Sequence, residues 1–411
     1  MAISLSERLG ALQERDFRLL FTATTITTVG DRLGSIALVF AVLELGSVTE
    51  LGIVLAARQI MEAIVLVGGG VLSDRLPRHL VLSAASLIQV VGQGATAALV
   101  LTGSASVSNL VVCQIVYGIG AGLVVPAEVG LVPQTVSPER LQQANALQGL
   151  SRNMTGVLGP AVGGVLVVVA SPGIALAVDA ASFLVCAVVL AQIRVAARVR
   201  EQAGFFLELR EGWRALTAQT WLWSSIGLFG FSNMFYAGAW VVLGPSIAKA
   251  ELGGASAWAT ILTVGGVGAV VGGIAAIRYR PARPLFACVL APVPMVLPLV
   301  GLALAWPTWL TAALAFVSSI GLALHLTLWF TVFQQHVPEH AQSRVSSYDA
   351  LGSFVLIPVG LALAGPVAAA IGVDASLWLT VAVVLGCTAL IASIPSVRAI
   401  RASAPERVVI A

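Results

Sequence analysis

Long apolar runs constrain this chain more than any other feature. Twelve segments of about 20 residues carry almost no charge, which is the length that a helix needs to cross the hydrocarbon core of a bilayer. Only 10% of all residues are charged, whereas soluble domains carry about a quarter. The sequence therefore predicts an all-α membrane protein with twelve transmembrane helices. The predicted helices lie near 18–44, 51–72, 80–102, 109–130, 143–169, 174–194, 221–244, 256–277, 285–305, 309–332, 346–371 and 375–396.

Basic residues are concentrated in alternate connections between the predicted helices. Arginines precede predicted helix 1, follow helices 2, 4, 8 and 10, and fill the central connection and the C-terminal tail. The opposite connections contain a single base, Lys249. Because cytoplasmic loops carry an excess of Lys and Arg, we expect both termini in the cytoplasm and the chain in a cytoplasmic (inner) cell membrane. The bias toward arginine, with abundant Ala, Val and Gly, favours a bacterial source.

The two halves of the chain repeat the same short signatures. Val136-Ser137-Pro138-Glu139 recurs as Val337-Pro338-Glu339, and Gly159-Pro160 recurs as Gly365-Pro366. Duplicated halves are typical of secondary transporters, in which the substrate site lies between the halves near mid-membrane. In the central connection, apolar residues recur at helical spacing among charges, which predicts an amphipathic helix on the cytoplasmic face. The predicted domains are an N-terminal six-helix bundle at 1–194, a cytoplasmic amphipathic linker at 195–220 and a C-terminal six-helix bundle at 221–411.

A glycine-rich helix end leads into the charged stretch Asp74-Arg75-Leu76-Pro77-Arg78. Charges are costly inside the bilayer, so this stretch is expected where predicted helix 2 leaves the membrane. Together with Gly70, it follows the pattern Gly-x-x-x-Asp-Arg-x-(Gly/Pro)-Arg and resembles the loop between helices 2 and 3 of the major facilitator superfamily. The resemblance implies the fold of that superfamily, with twelve helices in two pseudo-symmetric six-helix bundles.

The same resemblance implies a cytoplasmic gate. In it, Asp74 faces the start of helix 11 near Asp349. Glu128, near the cytoplasmic end of helix 4, is positioned to pair with Arg75 or Arg78. The alternative is a Glu128 that is merely solvated at the membrane interface.

A second motif lies in predicted helix 5, at Gly156-Val157-Leu158-Gly159-Pro160-Ala161-Val162-Gly163-Gly164. It resembles the Gly-Pro-x-x-Gly-Gly signature of the drug–proton antiporters of the superfamily. Gly156, Gly159, Pro160, Gly163 and Gly164 would form a groove for a close helix contact, and Pro160 would kink the helix. Ordinary small-residue packing is the alternative.

Further stretches resemble the macrolide-efflux and enterobactin-exporter branch of the superfamily. They include Arg15-Asp16-Phe17-Arg18, Gly30-Asp31 and Asp179-Ala180-Ala181-Ser182-Phe183. One position departs from the antiporter pattern, because Gln114 stands in helix 4 where these antiporters commonly carry an arginine. Glutamine cannot influence a neighbouring carboxylate through charge, so either the coupling cation lies elsewhere or coupling works differently.

Ionisable residues inside the predicted spans are few, and such residues are usually functional. The proton-coupling candidates are Asp31 in helix 1, Arg58 and Glu62 on one face of helix 2, and Arg152 on helix 5. A desolvated carboxylate beside an arginine is suited to bind and release a proton. The alternative is a static ion-pair network that holds the helices together. Arg58 can neutralise Glu62 within its own helix, and Arg152 is interpreted as a structural counter-ion. For Asp179 a structural role is favoured, and capping or lining the outer vestibule is the alternative.

Polar and aromatic residues on shared helix faces are candidates for lining a substrate cavity. They are Gln114, Tyr117, Asn233, Tyr236, Trp240, His325 and Trp329. A largely apolar cavity with a few hydrogen-bonding groups suits a bulky lipophilic compound. Each residue is equally compatible with helix packing, and a lone histidine such as His325 is more often a satisfied core residue.

These features predict a secondary active efflux transporter that exports a lipophilic drug, antibiotic or secondary metabolite in exchange for protons. The alternatives are a proton-coupled importer, a lipid or siderophore exporter, and, in another class, a non-transporting receptor or scaffold. Neither a P-loop lysine motif nor HExxH is found, so we expect no enzymatic activity. No cofactor, metal or nucleic acid is expected; the energy source is the proton gradient, and the chain is expected to be a monomer.

Overall fold

The computed structural model describes residues 10–195, 213–214 and 216–401, without the side chains of 67–75, 339–341 and 343–344. These residues form helices and no strand, which confirms the predicted all-α class. Eleven helices in the described part are long and apolar enough to cross a membrane. A further helix of 28 residues occupies the position of predicted helix 2.

The long helices are numbered in chain order. They are α1 Arg15–Leu45, α2 Val48–Arg75, α3 Arg78–Leu101, α4 Val107–Thr135, α5 Leu141–Val169, α6 Pro172–Leu190, α7 Thr220–Leu252, α8 Ala255–Arg278, α9 Pro284–Ala303, α10 Thr308–His336, α11 Val345–Ile371 and α12 Val373–Ser393. Short 3-10 turns at Gly10–Gln13 and Pro138–Arg140 precede α1 and α5, and a short helix at Pro395–Ala399 follows α12.

Helix α7 continues beyond its predicted end at residue 244. Two π-helical stretches, Gly238–Leu243 and Ala248–Leu252, flank an α-helical turn that contains Pro245. Proline has no N–H to donate to the carbonyl four residues earlier, so the hydrogen-bond register widens around it. The helix ends where Gly253 and Gly254 adopt φ values of 99° and 83°, a left-handed conformation that favours glycine.

Prolines also interrupt two helices that were predicted as continuous. In α9, Pro292 and Pro294 separate Pro284–Leu290 from Val296–Ala303, with a 3-10 turn between them. In α11, a turn after Phe354 is followed by Pro358. Each proline leaves the carbonyl four residues earlier without its helical donor.

The described chain forms two compact units. The first contains α1 to α6 together with Ala237–Thr263 and Ile357–Val373. The second contains the described residues within 202–236, 264–356 and 374–411. Most of the predicted linker, residues 196–212 and 215, lies outside the described residues. The predicted bundle boundaries therefore stay a prediction.

Each unit has an apolar core of its own. Phe17, Leu131 and Leu190 are fully buried in the first unit, and Leu222 and Val332 are fully buried in the second. Other large apolar side chains are exposed, as expected of helices that face lipid: Ile64, Val168, Ile277 and Trp309.

Glycines bring α2 and α11 into close contact within the first unit. A Cβ at Gly52 would meet the backbone oxygen of Leu361, and one at Gly365 would meet the backbone of Thr49. Backbones approach this closely only where no side chain separates them. A polar contact lies nearby, because Lys249 Nζ in α7 donates a hydrogen bond of 2.5 Å to the carbonyl oxygen of Leu43. A cation is favoured there, since the last carbonyls of α1 lack helical partners.

Candidate functional site

The candidate site is centred on Asp31, near the middle of α1. Asp31 lies about 24 Å from the start of the helix at 1.5 Å per residue. Its Oδ1 accepts a hydrogen bond of 3.1 Å from Arg58 Nη2 and one of 2.6 Å from Tyr117 Oη. The carboxylate therefore joins a cation from α2 to a hydroxyl from α4. Arg58, predicted as able to neutralise Glu62 within α2, forms its ion pair with Asp31.

Tyr117 supports the ion pair in two ways. Its hydroxyl donates to Asp31, and the guanidinium carbon of Arg58 lies 3.9 Å from the centroid of its ring. A cation over an aromatic face is attracted by the ring quadrupole. The ring itself is held edge-on against Phe183 of α6, with centroids 5.6 Å apart. Tyr117 thus binds both members of the pair and fixes their relative position.

Close packing of α4 on α2 positions Tyr117 beside Arg58. A Cβ at Gly118 would lie 2.5 Å from the backbone oxygen of Arg58, and one at Gly122 would lie 2.6 Å from that of Glu62. These distances are far shorter than a carbon–oxygen contact, so only glycine allows the approach. The Gly118-x-x-x-Gly122 spacing in the sequence was the available signal for this contact.

The ion pair borders a cavity of about 210 Å³ inside the first unit. The side chain of Asp31 is 43% exposed, and this exposure opens into the cavity. The cavity is lined by Thr24, Thr27, Thr28, Asp31, Arg32, Arg58, Glu62, Leu82, Ser86, Gln89, Tyr117, Ala121, Val124, Val125, Glu128, Phe183 and Cys186. The threonine hydroxyls of α1 donate to carbonyls of their own helix. The wall therefore combines apolar and aromatic surface with two further carboxyls, Glu62 and Glu128.

Gln114 lies away from this cavity, in a buried polar cluster. Its Nε2 donates to Thr96 Oγ1 at 3.2 Å and to Gln93 Oε1 at 3.4 Å. Gln93 Nε2 in turn donates to Asp179 Oδ2 at 2.6 Å. Gln114 and Asp179 are both fully buried. Gln114 therefore does not line this cavity, and Asp179 is enclosed by packed helices instead of lining an outer vestibule.

The acid near the end of α4 has a partner in α5, whereas the Arg75 side chain, one of its two predicted partners, lies outside the described residues. Glu128 accepts a hydrogen bond of 3.4 Å from Arg152 of α5, which also contacts Gln148 at 3.3 Å. Arg78, proposed as a partner of Glu128, donates from Nη1 to the carbonyl oxygen of Gly130 at 2.5 Å. Arg152 is thus a counter-ion of Glu128 and not of the mid-membrane acids.

The other gate residues are described only in part. Gly70, Asp74 and Arg75 belong to α2, but their side chains lie outside the described residues. Asp349, in the second unit, accepts a hydrogen bond of 2.8 Å from Trp329 Nε1. Whether Asp74 faces helix 11 therefore stays a prediction.

The small-residue motif of α5 packs against two helices. Gly159 contacts the side chain of Arg32, and a Cβ at Gly163 would lie 3.2 Å from the Cα of Leu33, both in α1. A Cβ at Gly164 would overlap the Cβ of Ala259 in α8. Among the described residues, no atom outside the adjacent turns of α5 lies within 4 Å of a Cβ at Gly156. Within the first unit the motif is a close-contact surface, and Gly156 stands outside it. Pro160 is buried in the same helix.

We expect Gly164→Ala to lower the melting temperature and the transport rate, whereas Gly156→Ala leaves both unchanged or higher. The methyl added at residue 164 would overlap the methyl of Ala259, which cannot rotate away because alanine has no alternative rotamer. Where space is free, alanine is favoured over glycine in a helix by up to about 1 kcal/mol. Thermal unfolding of the purified variants and their initial transport rates test this difference. Equal behaviour of the two variants would exclude a packing role for the motif.

The candidates of the second half are engaged in packing contacts. Asn233 Nδ2 donates to the carbonyl oxygen of Ser353 at 3.1 Å, and Tyr236 is hydrogen-bonded to Ser318. Trp240 packs on Trp258, with ring centroids 4.9 Å apart. These contacts are compatible with the packing alternative.

His325 compensates for the break in α9. Its Nδ1 lies 2.9 Å from the carbonyl oxygen of Cys288, whose ordinary helical donor would be the nitrogen of Pro292. The imidazole therefore donates from Nδ1, and its ring packs edge-on against Phe229 at 4.9 Å. This is the arrangement of a satisfied core histidine.

Comparison with known proteins identifies the family of this chain. The sequence profile described as Major Facilitator Superfamily matches residues 20–361. The chain belongs to the major facilitator superfamily. It is therefore a multi-pass membrane transporter that works by alternating access, and not an enzyme. Comparison with curated protein sequences gave no match.

Solved structures of other transporters share the fold at low sequence identity. A bacterial homologue of the iron transporter ferroportin, in an inward-facing state, is 15% identical with a TM-score of 0.73, covering 92% of this chain and 99% of its own. A bacterial homologue of the human lysosomal transporter Spinster is 15% identical with a TM-score of 0.68, covering 98% and 100%. A peptide transporter, POT, is 13% identical with a TM-score of 0.75, covering 94% and 95%.

Proposed function

We propose that this transporter exports a lipophilic small molecule in exchange for protons. The observation that carries the proposal is the Asp31–Arg58–Tyr117 arrangement beside a cavity at mid-helix. A carboxylate that is ion-paired and borders a cavity can change its charge where the substrate binds. The drug–proton antiporter signature in α5 gives independent support.

Protonation of Asp31 would break the ion pair and thereby link proton binding to substrate release. The ionised carboxylate accepts two hydrogen bonds, one of them from a cation, and such charge-assisted bonds are about twice as strong as neutral ones. A proton on Asp31 removes that attraction and leaves Arg58 over the face of Tyr117. The excess positive charge beside the cavity then disfavours a substrate that binds to its acidic wall. Because α1 and α2 are joined by this pair, the same step loosens their contact.

The residues that line the cavity favour a lipophilic substrate. Leu82, Val124, Val125 and Phe183 supply apolar and aromatic surface, and Glu62 and Glu128 supply carboxyl groups. Sites for such compounds are mostly apolar with a few convergent polar groups.

The fold by itself is compatible with other substrates, because proteins that share it include a bacterial homologue of an iron transporter and a peptide transporter. Among the described residues, however, no group of three or more His, Cys, Asp or Glu is arranged to hold a metal ion. The alternatives of an importer, a lipid or siderophore exporter and a scaffold differ from the proposal in the direction, cargo or existence of flux.

The test is dye transport into proteoliposomes with an imposed pH gradient. With an acidic interior, antiport should accelerate uptake of ethidium, and a protonophore should abolish the acceleration. Unlabelled erythromycin should compete if macrolides share the site. Uptake driven by an acidic exterior would instead identify a proton-coupled importer. Absence of any protein-dependent flux of ethidium or erythromycin, with either gradient, would refute the proposed cargo class.

A further inference from the structure

Asp179 of α6 is a fully buried carboxyl whose partners are incomplete. None of its surface is exposed. Its Oδ2 accepts a hydrogen bond of 2.6 Å from Gln93 Nε2, but its Oδ1 has no hydrogen-bond partner. A buried unsatisfied polar atom is costly and calls for an explanation.

Glycines of α1 press against this carboxyl. A Cβ at Gly34 would overlap Asp179 Oδ2, and a Cβ at Gly30 would lie 2.8 Å from Oδ1. The glycine backbone of α1 therefore packs directly against the carboxyl of Asp179. Gly34 follows Asp31 by less than one helical turn. Asp179 therefore packs against α1 close to the position of Asp31.

The charges around Asp179 do not compensate a second negative charge. Asp31 of α1 and Arg58 of α2 are the charged groups that act on it, and Tyr117 is the titratable group of α4. From α3 it faces the neutral Gln93. Arg58 already forms its ion pair with Asp31. A second buried carboxylate beside one cation carries a large desolvation cost.

The hydrogen bonds among Asp179, Gln93 and Gln114 also favour a neutral carboxyl. Gln114 Oε1 is a second buried oxygen without a donor, in the same chain of contacts as Asp179 Oδ1. The cluster is therefore short of donors and not of acceptors. One added proton on the carboxyl supplies a donor and removes the uncompensated charge at the same time.

We propose that Asp179 is a proton-binding site that holds a proton while Asp31 is ionised and paired with Arg58. Gln93 is its positioning residue, because its amide fixes one carboxyl oxygen. Asp179 is then a second proton-carrying carboxyl, separate from the pair that borders the cavity. Its part in the transport cycle rests on the proposed proton coupling, whereas the bound proton itself does not.

Infrared difference spectroscopy of the purified full-length protein tests the bound proton directly. A protonated carboxyl gives a C=O stretching band above the amide region that shifts in deuterium oxide. We expect this band in the wild type at neutral pH, its loss in Asp179→Asn, and its retention in Asp31→Asn. An unchanged band in a folded Asp179→Asn variant, or no band in the wild type, would overturn the proposal.

A second variant covers the case in which Asp179→Asn does not fold. Gln93→Leu removes the amide donor but keeps the carboxyl, so the band should remain and move to higher frequency. A band that stays in place in this variant would show that it does not come from Asp179.

Transport measurements separate this inference from the proposed function. In proteoliposomes, the number of protons exchanged per ethidium should fall about twofold in Asp179→Asn if both carboxyls carry protons. A band that is lost in Asp179→Asn, together with no proton-coupled flux in the wild type, would preserve the proton site and refute the antiport proposal. An unchanged proton-to-ethidium ratio would refute the role of Asp179 in the cycle.

Discussion

Asp31→Asn is expected to abolish ethidium uptake driven by a pH gradient. Asparagine keeps the size of the side chain and can still accept the hydrogen bond from Tyr117, but it can neither carry a negative charge nor exchange a proton. Arg58 then loses its ion pair in every state of the cycle, and proton binding can no longer act on the cavity through Asp31. The measurement compares initial rates of ethidium uptake with and without the pH gradient. The acceleration caused by the gradient should fall to the level seen in protein-free vesicles.

Counterflow distinguishes lost coupling from lost folding. Exchange of labelled for unlabelled ethidium without a gradient should persist in Asp31→Asn, because the cavity wall is otherwise unchanged. Asp374→Asn, an exposed acid in the first turn of α12, is the matched control and should behave as the wild type. Undiminished gradient-driven uptake in Asp31→Asn would remove Asp31 from the coupling mechanism.

Gly52→Ala is expected to destabilise the protein by about 1–3 kcal/mol, the usual cost of overpacking a close contact. The new methyl would meet the backbone oxygen of Leu361, which can move away only if α11 moves with it. The variant should therefore unfold at a lower temperature. If this contact between α2 and α11 re-forms in each transport cycle, the variant should also transport more slowly.

Gly386→Ala in α12 is the control for that substitution. In the described part of the chain, no atom beyond the adjacent turns of α12 lies within 4 Å of a Cβ at this position, so alanine should be neutral or stabilising. Thermal unfolding followed by size-exclusion chromatography compares the two variants. Equal melting temperatures would contradict the close approach of α2 and α11.

The lengths of the apolar runs were sufficient to predict the helices. The thickness of the bilayer sets the length of each span, and the backbone polar groups within it must be hydrogen-bonded to one another. The run lengths were insufficient for α7, α9 and α11, where prolines widen or interrupt the helix without altering its hydropathy. Pro245, Pro292 and Pro358 were visible in the sequence, but their effect depends on which neighbour supplies the missing hydrogen bond. For α9 that neighbour is His325.

The candidate site was predictable in composition and not in pairing. Depth along a helix correctly suggested that Asp31 and Arg58 lie at a similar level, because each residue advances by a fixed rise. The sequence of a single helix does not show which of its sides faces a neighbouring helix, so the partners of each side chain could not be predicted. The sequence consequently did not indicate the ion pair of Glu128 with Arg152. The roles of Tyr117 and Gln93 were missed for the same reason.

Lys249 is the only lysine in the chain. Its amine is engaged by the carbonyl oxygen of Leu43, at the end of α1. An amine-reactive acylating reagent therefore has a single side-chain target, whose availability depends on whether α7 and α1 are in contact. The rate of acylation at Lys249 therefore reports how often these two helices separate. Mass spectrometry can measure this rate without an introduced label.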